Sequence, residues 1–584
     1  MSRRGGPPAP LPVDGVLADI TAALHNGPAV VVVAPPGSGK TTRVPPALLA
    51  AGFADAGQIL LLQPRRLAAR AVASRIADER GERAGDTVGW HVRFERRFGP
   101  RTRLLVMTGG MLTRRLQADP FLDGVSVVIL DEFHERGVHT DLAVAMLRGL
   151  QQELRPELKI VIMSATLDPA PIAAFLGGAP VVEAAGRCFP VTVVHQAPAP
   201  ERRVEAVVAD AVVDVLGRTD AGHVLAFLAG VGEINRVAGL LRDRVTVPVN
   251  PLHGRMRLRD QSAVLQPTAP RTVVLATNIA ESSVTLAGVR AVVDAGLARV
   301  SVHDPGLGID VLRTVSCSVA AADQRAGRAG RTGPGLALRL WSETQHALRP
   351  AAHSPELERA DLAEVVLFLA DLGETPDGFG WWQAPPKAHI QRAQALLHML
   401  GAMDKDGRIT AVGRSLVALP VHPRVGMVVL TGRSLGLLHA SATAAALVSE
   451  RDPWGAPGVS GPADLLERIA AVDGGGGRGA DPRAIEGVRR VRDQLIDVAQ
   501  RARSVLPSRE GTVVDALMAG FPDRVGMRRG AHDALLASGQ GARFEGPMAL
   551  GDAQYFVAVA LSGGPRGLRV RAAAPVHTVP ATWQ

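Results

Sequence analysis

The sequence predicts an α/β protein in which two successive parallel-sheet domains are followed by a helical region and a small β domain. Three observations support this prediction. The chain has 584 residues, more than one hydrophobic core usually serves. Short apolar runs alternate with helix-length segments as far as Trp341. After Trp341 the apolar residues recur at helical spacing instead.

The first domain is predicted from apolar runs that are a few residues long and are separated by helix-length stretches. These runs are Val30–Val33, Ile59–Leu62, Leu104–Met107, Val127–Leu130 and Ile160–Met163. Such an alternation is typical of buried parallel strands joined by helical crossovers. Ligands of these sheets bind at the carboxyl ends of the strands. We place this domain at residues 1–178.

The same pattern then recurs and predicts a second parallel sheet. Its strands are expected at Val224–Phe227, Val273–Leu275, Ala291–Val293 and Leu336–Leu340. We place this second domain at residues 179–345, with the join near Pro180.

The rest of the chain changes character twice. Leu362, Val365, Val366 and Leu369 have helical spacing, and similar patterns continue to about residue 503. From about Gly541 some stretches alternate between apolar and polar residues, which indicates strands with one buried face. A helical region followed by a small β domain is therefore expected.

The bulk composition narrows the class of protein. A formal net charge of +9 points to a polyanionic partner, although arginine-rich faces are often only solvated. Two cysteines cannot form a disulfide framework or a four-ligand zinc site. The N-terminal residues lack the apolar core of a signal peptide, and the run Ala29–Val33 is too short to span a bilayer. We expect a cytoplasmic protein that does not enter a membrane.

A phosphate-binding loop is predicted at Ala34–Thr41, directly after the first strand. Its small residues allow backbone N–H groups to wrap phosphates, at the positive end of the next helix. Lys40 would reach the β- and γ-phosphates, and the Thr41 hydroxyl would hold Mg²⁺. A chance glycine-rich turn is the alternative. The predicted nucleotide-binding residues are Gly37, Ser38, Gly39, Lys40, Thr41, Thr42 and Asp131.

A pair of carboxylates, Asp131 and Glu132, follows the Val127–Leu130 strand. Asp131 can hold Mg²⁺ through water, and Glu132 can accept a proton from the attacking water. An acidic pair after a strand is often only a cap. About ninety residues after a phosphate loop, however, it predicts the second half of a nucleotide site.

The third motif is the run from Gln324 to Arg331 in the second domain. Arg328 and Arg331 are three positions apart, so on a helix they project from one face. Such guanidinium groups can stabilise charge on a transferring phosphoryl group, whereas the alternative is a solvated basic helix. The first interpretation predicts a site shared between the two domains, which closes on the nucleotide and reopens after hydrolysis.

These motifs, in this order, resemble the superfamily 2 helicases and, most closely, the DEAH-box group. His134 followed by Glu135 and Arg136 supports that group, and Phe133 in place of Ala is similar to the bacterial HrpB type. Further segments resemble the remaining helicase motifs. They are Gln63–Arg66 (Ia), Thr108–Gly110 (Ib), Ser164–Thr166 (III), Leu252–Gly254 (IVa) and the segment beginning Thr277-Asn278 (V).

The resemblance implies the identity of each domain. The two parallel-sheet domains would be RecA-like, followed by a winged-helix domain at 346–423, a helical bundle (ratchet) at 424–540 and an OB-like domain at 541–584. Proteins of the HrpB type continue well past the OB-like region, whereas this sequence ends at Gln584. We therefore expect the OB-like domain to be partial.

The resemblance also assigns residue roles. The residues expected to contact the nucleic-acid backbone are Arg65, Arg66, Thr108, Gly109, Gly254, Thr277 and Asn278. Their charges, hydroxyls, amides and bare backbone suit phosphate and sugar, although Arg65 and Arg66 would also suit a solvated helix start. Ser164, Ala165 and Thr166 would couple hydrolysis to movement. His134 would link the nucleotide site to the second domain, and Gln324 would join Arg328 and Arg331 at the γ-phosphate.

The resulting expectation is a monomeric ATP-dependent RNA helicase. ATP and Mg²⁺ are the expected cofactors, and other nucleoside triphosphates remain open because Leu265 stands where relatives carry a base-stacking aromatic residue. The expected partner is single-stranded RNA, or structured RNA with a single-stranded tail. DNA unwinding, remodelling of RNA–protein particles and a non-catalytic RNA-binding scaffold are the alternatives. Trp381 and Trp382 are expected to anchor a domain junction.

Overall fold

The structure is a computed structural model. It describes residues 10–165, 168–185, 189–254, 256, 258–266, 271–281, 286–304, 308–450, 452–454, 464–474, 479–544, 550, 552–564 and 567–577. The chain divides into two compact units. Unit 1 comprises Met1–Val300, Arg313–Glu356 and Gly380–Gln383, and unit 2 comprises Ser301–Leu312, Leu357–Phe379 and Ala384–Gln584.

The first domain of unit 1 is built on an eight-stranded sheet. Its strands are β1 (Ala29–Val33), β2 (Gln58–Gln63), β3 (Val88–Val92), β4 (Glu95–Arg97), β5 (Leu104–Thr108), β6 (Val125–Leu130), β7 (Lys159–Ser164) and β8 (Val181–Glu183). Their order is β4-β3-β5-β2-β6-β7-β1-β8, and only the β3–β4 pair is antiparallel. The five predicted strands are confirmed.

Helices cover both faces of this sheet. They are α1 (Leu17–Asn26), α2 (Lys40–Ala50), α3 (Arg66–Glu79), α4 (Gly109–Ala118), α5 (Val138–Glu153) and α6 (Pro169–Phe175). Successive side chains of a strand point to opposite faces, so Val30 and Val32 enter one core and Val31 enters the other. Because β8 pairs with β1, this domain continues to Glu183, five residues beyond the predicted end at 178.

The second domain of unit 1 is built on a six-stranded, wholly parallel sheet. The strands of this part of the chain are β9 (Val191–His195), β10 (His223–Phe227), β11 (Val249–Leu252), β12 (Val273–Ala276), β13 (Val289–Asp294), β14 (Leu297–Asp304), β15 (Ile309–Ser316) and β16 (Gly335–Arg339). The sheet order is β11-β12-β10-β13-β16-β9, and β14 and β15 form a separate two-stranded sheet. The four predicted strands are confirmed. The helices are α7 (Val204–Arg218), α8 (Val231–Leu241), α9 (Leu258–Leu265), α10 (Val319–Gly327) and α11 (Glu343–Ala347).

Unit 2 is helical and ends in a barrel. Its helices are α12 (Ala363–Asp371), α13 (Lys387–Met399), α14 (Ala411–Ala418), α15 (Pro423–Ser434), α16 (Leu438–Ser449), α17 (Leu465–Asp473), α18 (Pro482–Arg501) and α19 (Val513–Gly520). Among the described residues, no single helix is both long and apolar enough to cross a membrane. The combination of α14 and α15 reaches that length only with a bend of 107°.

The barrel closes with five strands in the order β17-β18-β19-β21-β20. These strands are β17 (Val525–Arg528), β18 (Asp533–Leu536), β19 (Gly541–Phe544), β20 (Tyr555–Gly564) and β21 (Gly567–Val576). A closed five-stranded barrel agrees with the expected OB-like architecture. The barrel begins at Val525, whereas the predicted boundary was 541. The prediction placed the boundary too late because β17 and β18, with four residues each, are too short for an alternation of apolar and polar residues to be recognised.

The contact between α15 and α16 depends on a glycine. A methyl group added at Gly432 would lie 2.1 Å from Ser441 Oγ, and Ser441 is wholly buried. We expect Gly432→Ala to destabilise unit 2 by about 1–3 kcal/mol, because the two helices would have to separate. A lower midpoint of thermal unfolding would show this effect. The control is Gly487→Ala in α18, where the added methyl group meets nothing within 4 Å and the midpoint should not fall. Equal midpoints for the two variants would contradict the prediction.

Candidate nucleotide and nucleic-acid site

The predicted phosphate loop lies between β1 and α2 and depends on two glycines. Gly37 and Gly39 have φ angles of +87° and +91°, which glycine adopts without strain. A side chain at Gly39 would also collide with Leu11, whose Cδ1 would lie 2.6 Å from the added carbon. Ser38 is buried, and its hydroxyl has no hydrogen-bond partner among the described residues. The loop thus holds a buried polar atom that a bound phosphate could satisfy.

Asp131 lies at the end of β6 and ties three segments together. Its Oδ2 accepts hydrogen bonds from Thr41 Oγ1 at 2.6 Å and from Gln63 Nε2 at 2.7 Å. Its Oδ1 accepts one from the Glu132 N–H at 2.9 Å. Burial, together with the neighbouring charge of Glu132, raises the pKa of Asp131. A cation beside these oxygens would oppose that effect and favour the carboxylate.

Glu132 occupies an unusual backbone conformation. Its φ angle is +50°, in the left-handed region that non-glycine residues seldom adopt outside constrained sites. Its Oε2 lies 3.2 Å from Lys40 Nζ, and the Lys40 side chain is only 5% exposed. The bend therefore directs two sequence-adjacent carboxylates to different partners. Asp131 meets Thr41, and Glu132 meets Lys40.

His134 joins three parts of the site. Burial, and secondarily the charge of Lys40, lowers the pKa of His134 to about 4, so the ring is neutral near pH 7. Its Nδ1 accepts a hydrogen bond from the Ala165 N–H at 3.3 Å, and its Nε2 lies 2.9 Å from the Gln324 amide. A neutral ring that accepts at Nδ1 carries its proton on Nε2. The Gln324 atom at this distance is the amide nitrogen, so the amide must be turned until its oxygen faces His134 to accept a hydrogen bond from that N–H.

One neighbour of His134, Ala165, belongs to the segment Ser164–Thr166 that sequence reasoning assigned to coupling. Ser164 is wholly buried, and its hydroxyl has no hydrogen-bond partner within the described chain. Thr166 lies outside the described residues. The structure therefore brings Ala165 and Gln324, from different domains, to the two nitrogens of one ring.

The two predicted arginine fingers follow α10 in a short 3-10 helix, Arg328–Gly330, rather than in an α-helix. A 3-10 helix has three residues per turn, so Arg328 and Arg331 still project from one side. Arg328 is buried, and its guanidinium donates to the Glu281 carbonyl, with Nε at 3.1 Å. Burial, reinforced by the charge of Arg331, lowers the pKa of Arg328. A bound anion would favour its charged form.

Arg331 crosses from the second domain to the phosphate loop of the first. A methyl group added at Gly37 would lie 3.5 Å from Arg331 Nε and 3.6 Å from its Cζ. Both domains belong to unit 1. The site therefore combines the phosphate loop and the acidic pair of the first domain with an arginine of the second domain.

Sequence reasoning missed Arg325, whose side chain is 1% exposed. It pairs with Asp294 at 2.9 Å and with Glu281 at 3.1 Å, and its Cζ lies 5.0 Å from the Phe227 ring centre. Burial alone would lower the pKa of Arg325, but the charges of Asp294 and Glu281 raise it. Arg325 therefore fixes Glu281, whose carbonyl holds Arg328. The local sequence offers no pattern that separates Arg325 from its two neighbouring arginines.

A cavity of about 560 Å³ lies between the two domains of unit 1 and receives several predicted nucleic-acid residues. Arg65, Arg66 and Gly254 line it. Arg65 is the N-cap of α3 and Arg66 its first residue, so both the helix-start and the binding interpretations fit their position. The Arg65 guanidinium also forms an ion pair with the Glu135 carboxylate, with 3.6 Å between Nη2 and Oε2.

The other residues predicted to contact nucleic acid are not among those that line this cavity. Thr108 precedes α4, and Gly109 packs on His139, whose Cβ would lie 2.9 Å from a methyl group added there. Thr277 and Asn278 follow β12, where their neighbour Ile279 reaches the cavity. Their role in binding nucleic acid stays a prediction.

Sequence reasoning missed two further basic residues in this cavity, Arg70 and Arg93. Arg93 precedes Phe94, whose φ angle is +67°, and the Arg93 Cζ lies 4.7 Å from the Phe94 ring centre. The arginine-rich stretch after β3 could have indicated Arg93, whereas Arg70 lies within α3.

Comparison with known families agrees with this arrangement. Residues 18–175 match the family described as DEAD/DEAH box helicase, and residues 208–333 match the helicase conserved C-terminal domain. Residues 393–421 match the helicase associated domain (HA2), winged-helix. The three matches follow the order of the domains described above.

Individual relatives extend the match to most of the chain. The chain is 39% identical over 568 residues to the ATP-dependent RNA helicase HrpB of Escherichia coli, which covers 95% of this chain and 66% of that protein. It is 36% identical over 459 residues to the ATP-dependent RNA helicase HrpA of Escherichia coli, covering 76% of this chain and 35% of that protein. The chain thus spans two thirds or less of the length of these relatives.

A solved structure also matches. The crystal structure of the Escherichia coli DExH-box NTPase HrpB superposes with a TM-score of 0.85 and 38% identity, covering 97% of this chain and 68% of that one. The predicted fold class and family are therefore confirmed. This chain belongs to the HrpB group of the DEAD/DEAH box helicases.

Proposed function

We propose that this protein is an ATP-dependent RNA helicase that couples nucleotide hydrolysis between two RecA-like domains to movement along RNA. The observation that carries the proposal is the position of Arg331 over Gly37 of the phosphate loop, the loop that leads into Lys40 and its partner Glu132. An arginine supplied by the second domain to the phosphate loop of the first makes hydrolysis depend on how those domains meet.

The site is suited to Mg²⁺-bound ATP. Thr41 and Asp131 offer a hydroxyl and a carboxylate 2.6 Å apart, the oxygen ligands that Mg²⁺ prefers. When bound, Mg²⁺ would neutralise charge on the phosphate oxygens. The backbone of the loop and the orphaned Ser38 hydroxyl would bind the phosphates, which supports ATP or another nucleoside triphosphate as substrate.

Lys40 and Glu132 form an ion pair at 3.2 Å that substrate would reorganise. Phosphates in the loop would attract Lys40, which would leave the Glu132 carboxylate available to take a proton from the attacking water. Arg328 and Arg331 would stabilise the charge that develops on the γ-phosphate. The Glu281 carbonyl holds the Arg328 guanidinium in place.

Movement would follow from loss of these contacts. His134 bridges the Ala165 N–H and the Gln324 amide, so a change at the γ-phosphate would be felt by both domains. The arginine-lined cavity between the domains would hold the RNA backbone, and its width would change as the domains separate. The names of the relatives favour RNA over DNA. Single-stranded RNA or RNA with a single-stranded tail, a monomeric state and a cytoplasmic location are parts of the same proposal.

The first prediction about function concerns the nucleotide site as a whole. Steady-state ATP hydrolysis should be stimulated by single-stranded RNA and abolished in Lys40→Ala, because Lys40 is the residue that would hold the β- and γ-phosphates. Matched single-stranded DNA should stimulate less. An unstimulated native protein that still binds RNA would favour the non-catalytic scaffold instead.

The second prediction concerns the general base. Glu132→Gln should lower kcat by about 10²-fold or more while nucleotide binding persists, because the amide cannot accept the proton. Single-turnover hydrolysis and the affinity for a fluorescent ADP analogue would measure the two effects separately. Normal turnover in Glu132→Gln would refute the assignment.

The third prediction concerns the RNA cavity. Arg65→Ala should weaken RNA binding and reduce the slope of log affinity against log salt by about 1, because one phosphate contact is lost. The control is Arg218→Ala, which removes a half-exposed arginine at the end of α7 that pairs with Asp214. Titrations of a fluorescent single-stranded RNA at several salt concentrations would compare them. Equal slopes for the two variants would remove Arg65 from the binding surface.

A further inference from the structure

The turn that carries the general base is held in a costly conformation. Among the described residues only four non-glycine residues have positive φ angles, and two of them, Glu132 at +50° and Arg136 at +49°, bracket this turn. Between them lies the 3-10 helix Phe133–Glu135. Such conformations persist only where the surroundings determine them, so the residues that hold Arg136 also help to orient Glu132.

Arg136 is fixed by residues from distant parts of the chain. Its guanidinium contacts both carboxylate oxygens of Asp141, with the shortest distance 2.8 Å, and donates to Gln383 Oε1 at 3.0 Å. Its carbonyl accepts from the Glu356 N–H at 2.9 Å. The Glu356 carboxylate in turn accepts from the Val138 N–H at 3.0 Å. Glu356 therefore bonds the backbone of the turn at both Arg136 and Val138.

Trp382 completes this arrangement from the same distant segment. Its ring centre lies 5.3 Å from that of Phe133, and the Arg136 Cζ lies 4.1 Å from the Trp382 ring. Phe133 is wholly buried in a core of the first domain. One indole therefore contacts the residue after Glu132 and the second strained residue together, through ring packing and a cation–π interaction.

The residues that hold Arg136 lie where the chain passes between the two units. Glu356 is the last residue of its segment of unit 1, and Gly380–Gln383 is a four-residue return to unit 1. The chain between them, Leu357–Phe379, and all of the chain from Ala384 belong to unit 2. Between Glu356 and Ala384 the chain passes between the units three times, and Glu356 and Gln383, each at one of these passages, bond to Arg136 of the motif II turn.

We propose that Trp382, assisted by Glu356 and Gln383, is a positioning residue for ATP hydrolysis that fixes the turn carrying Glu132. The proposal rests on the proposed function, since it assigns the ATPase a residue from outside both RecA-like domains. Hydrolysis would then respond to whatever displaces the Gly380–Gln383 segment. A simple packing role for Trp382 would affect stability and nucleotide binding, but not the catalytic step selectively.

The experiment compares Trp382→Ala, Trp382→Phe and the matched control Trp381→Ala in the full chain. For each variant, kcat and KM for ATP are measured with saturating single-stranded RNA, together with the affinity for a fluorescent ADP analogue. We expect Trp382→Ala to lower kcat at least tenfold, with KM and ADP affinity within twofold of native. Trp382→Phe keeps a ring over Phe133 and Arg136 and should recover at least half of the native kcat, and Trp381→Ala should keep native values.

A second measurement does not depend on activity. Hydrogen–deuterium exchange of the backbone at residues 131–138 should be at least tenfold faster in Trp382→Ala and unchanged in Trp381→Ala, because the turn loses its clamp. Unchanged exchange, a kcat within twofold of native, or a loss of ADP affinity that matches the loss of kcat would overturn the proposal. A native chain without RNA-stimulated hydrolysis would overturn the proposed function instead, and the exchange measurement would still decide whether Trp382 holds the turn.

Discussion

The structure of the nucleotide site depends on the buried carboxylate of Asp131. Its three hydrogen bonds reach Thr41 at the phosphate loop, Gln63 at the end of β2 and the N–H of Glu132. The ends of three strands are thereby fixed relative to one another. The backbone at Glu132 has a φ angle of +50°, and the Glu132 carboxylate lies 3.2 Å from Lys40 Nζ. One buried acceptor thus connects the end of the phosphate loop, the beginning of motif Ia and the backbone of Glu132.

Around this centre, buried charges are arranged so that ligands would stabilise them. Asp131 has a raised pKa and Arg328 a lowered one, both chiefly because of burial. Each charged form is therefore costly until an opposite charge approaches, a cation for Asp131 and a phosphate anion for Arg328. His134 differs, since its lowered pKa keeps it neutral and able to bridge the two domains.

The same site is supported from outside the two sheets. Arg325 holds Glu281 and so fixes Arg328, while Trp382 and Glu356 hold the turn that carries Glu132. Trp381 and Trp382 were expected to anchor a domain junction, and Trp382 packs on Phe133, the residue after Glu132. Residues that follow the second sheet in the chain therefore contact the motif II turn of the first domain.

The sequence by itself determined the features that are local. Strands such as Val30–Val33, the glycines of the loop and the acidic pair after β6 are consecutive residues, so periodicity and spacing are enough to predict them. Weak local patterns limited the prediction elsewhere, as with the three-residue strand β8 and the four-residue strands β17 and β18. Tertiary structure alone decided that Arg331 lies over Gly37, that Arg325 meets Asp294 and Glu281, and that Trp382 lies on Phe133. These partners are far apart in the chain, and no local pattern records which distant side chain a folded core will bring to a given residue.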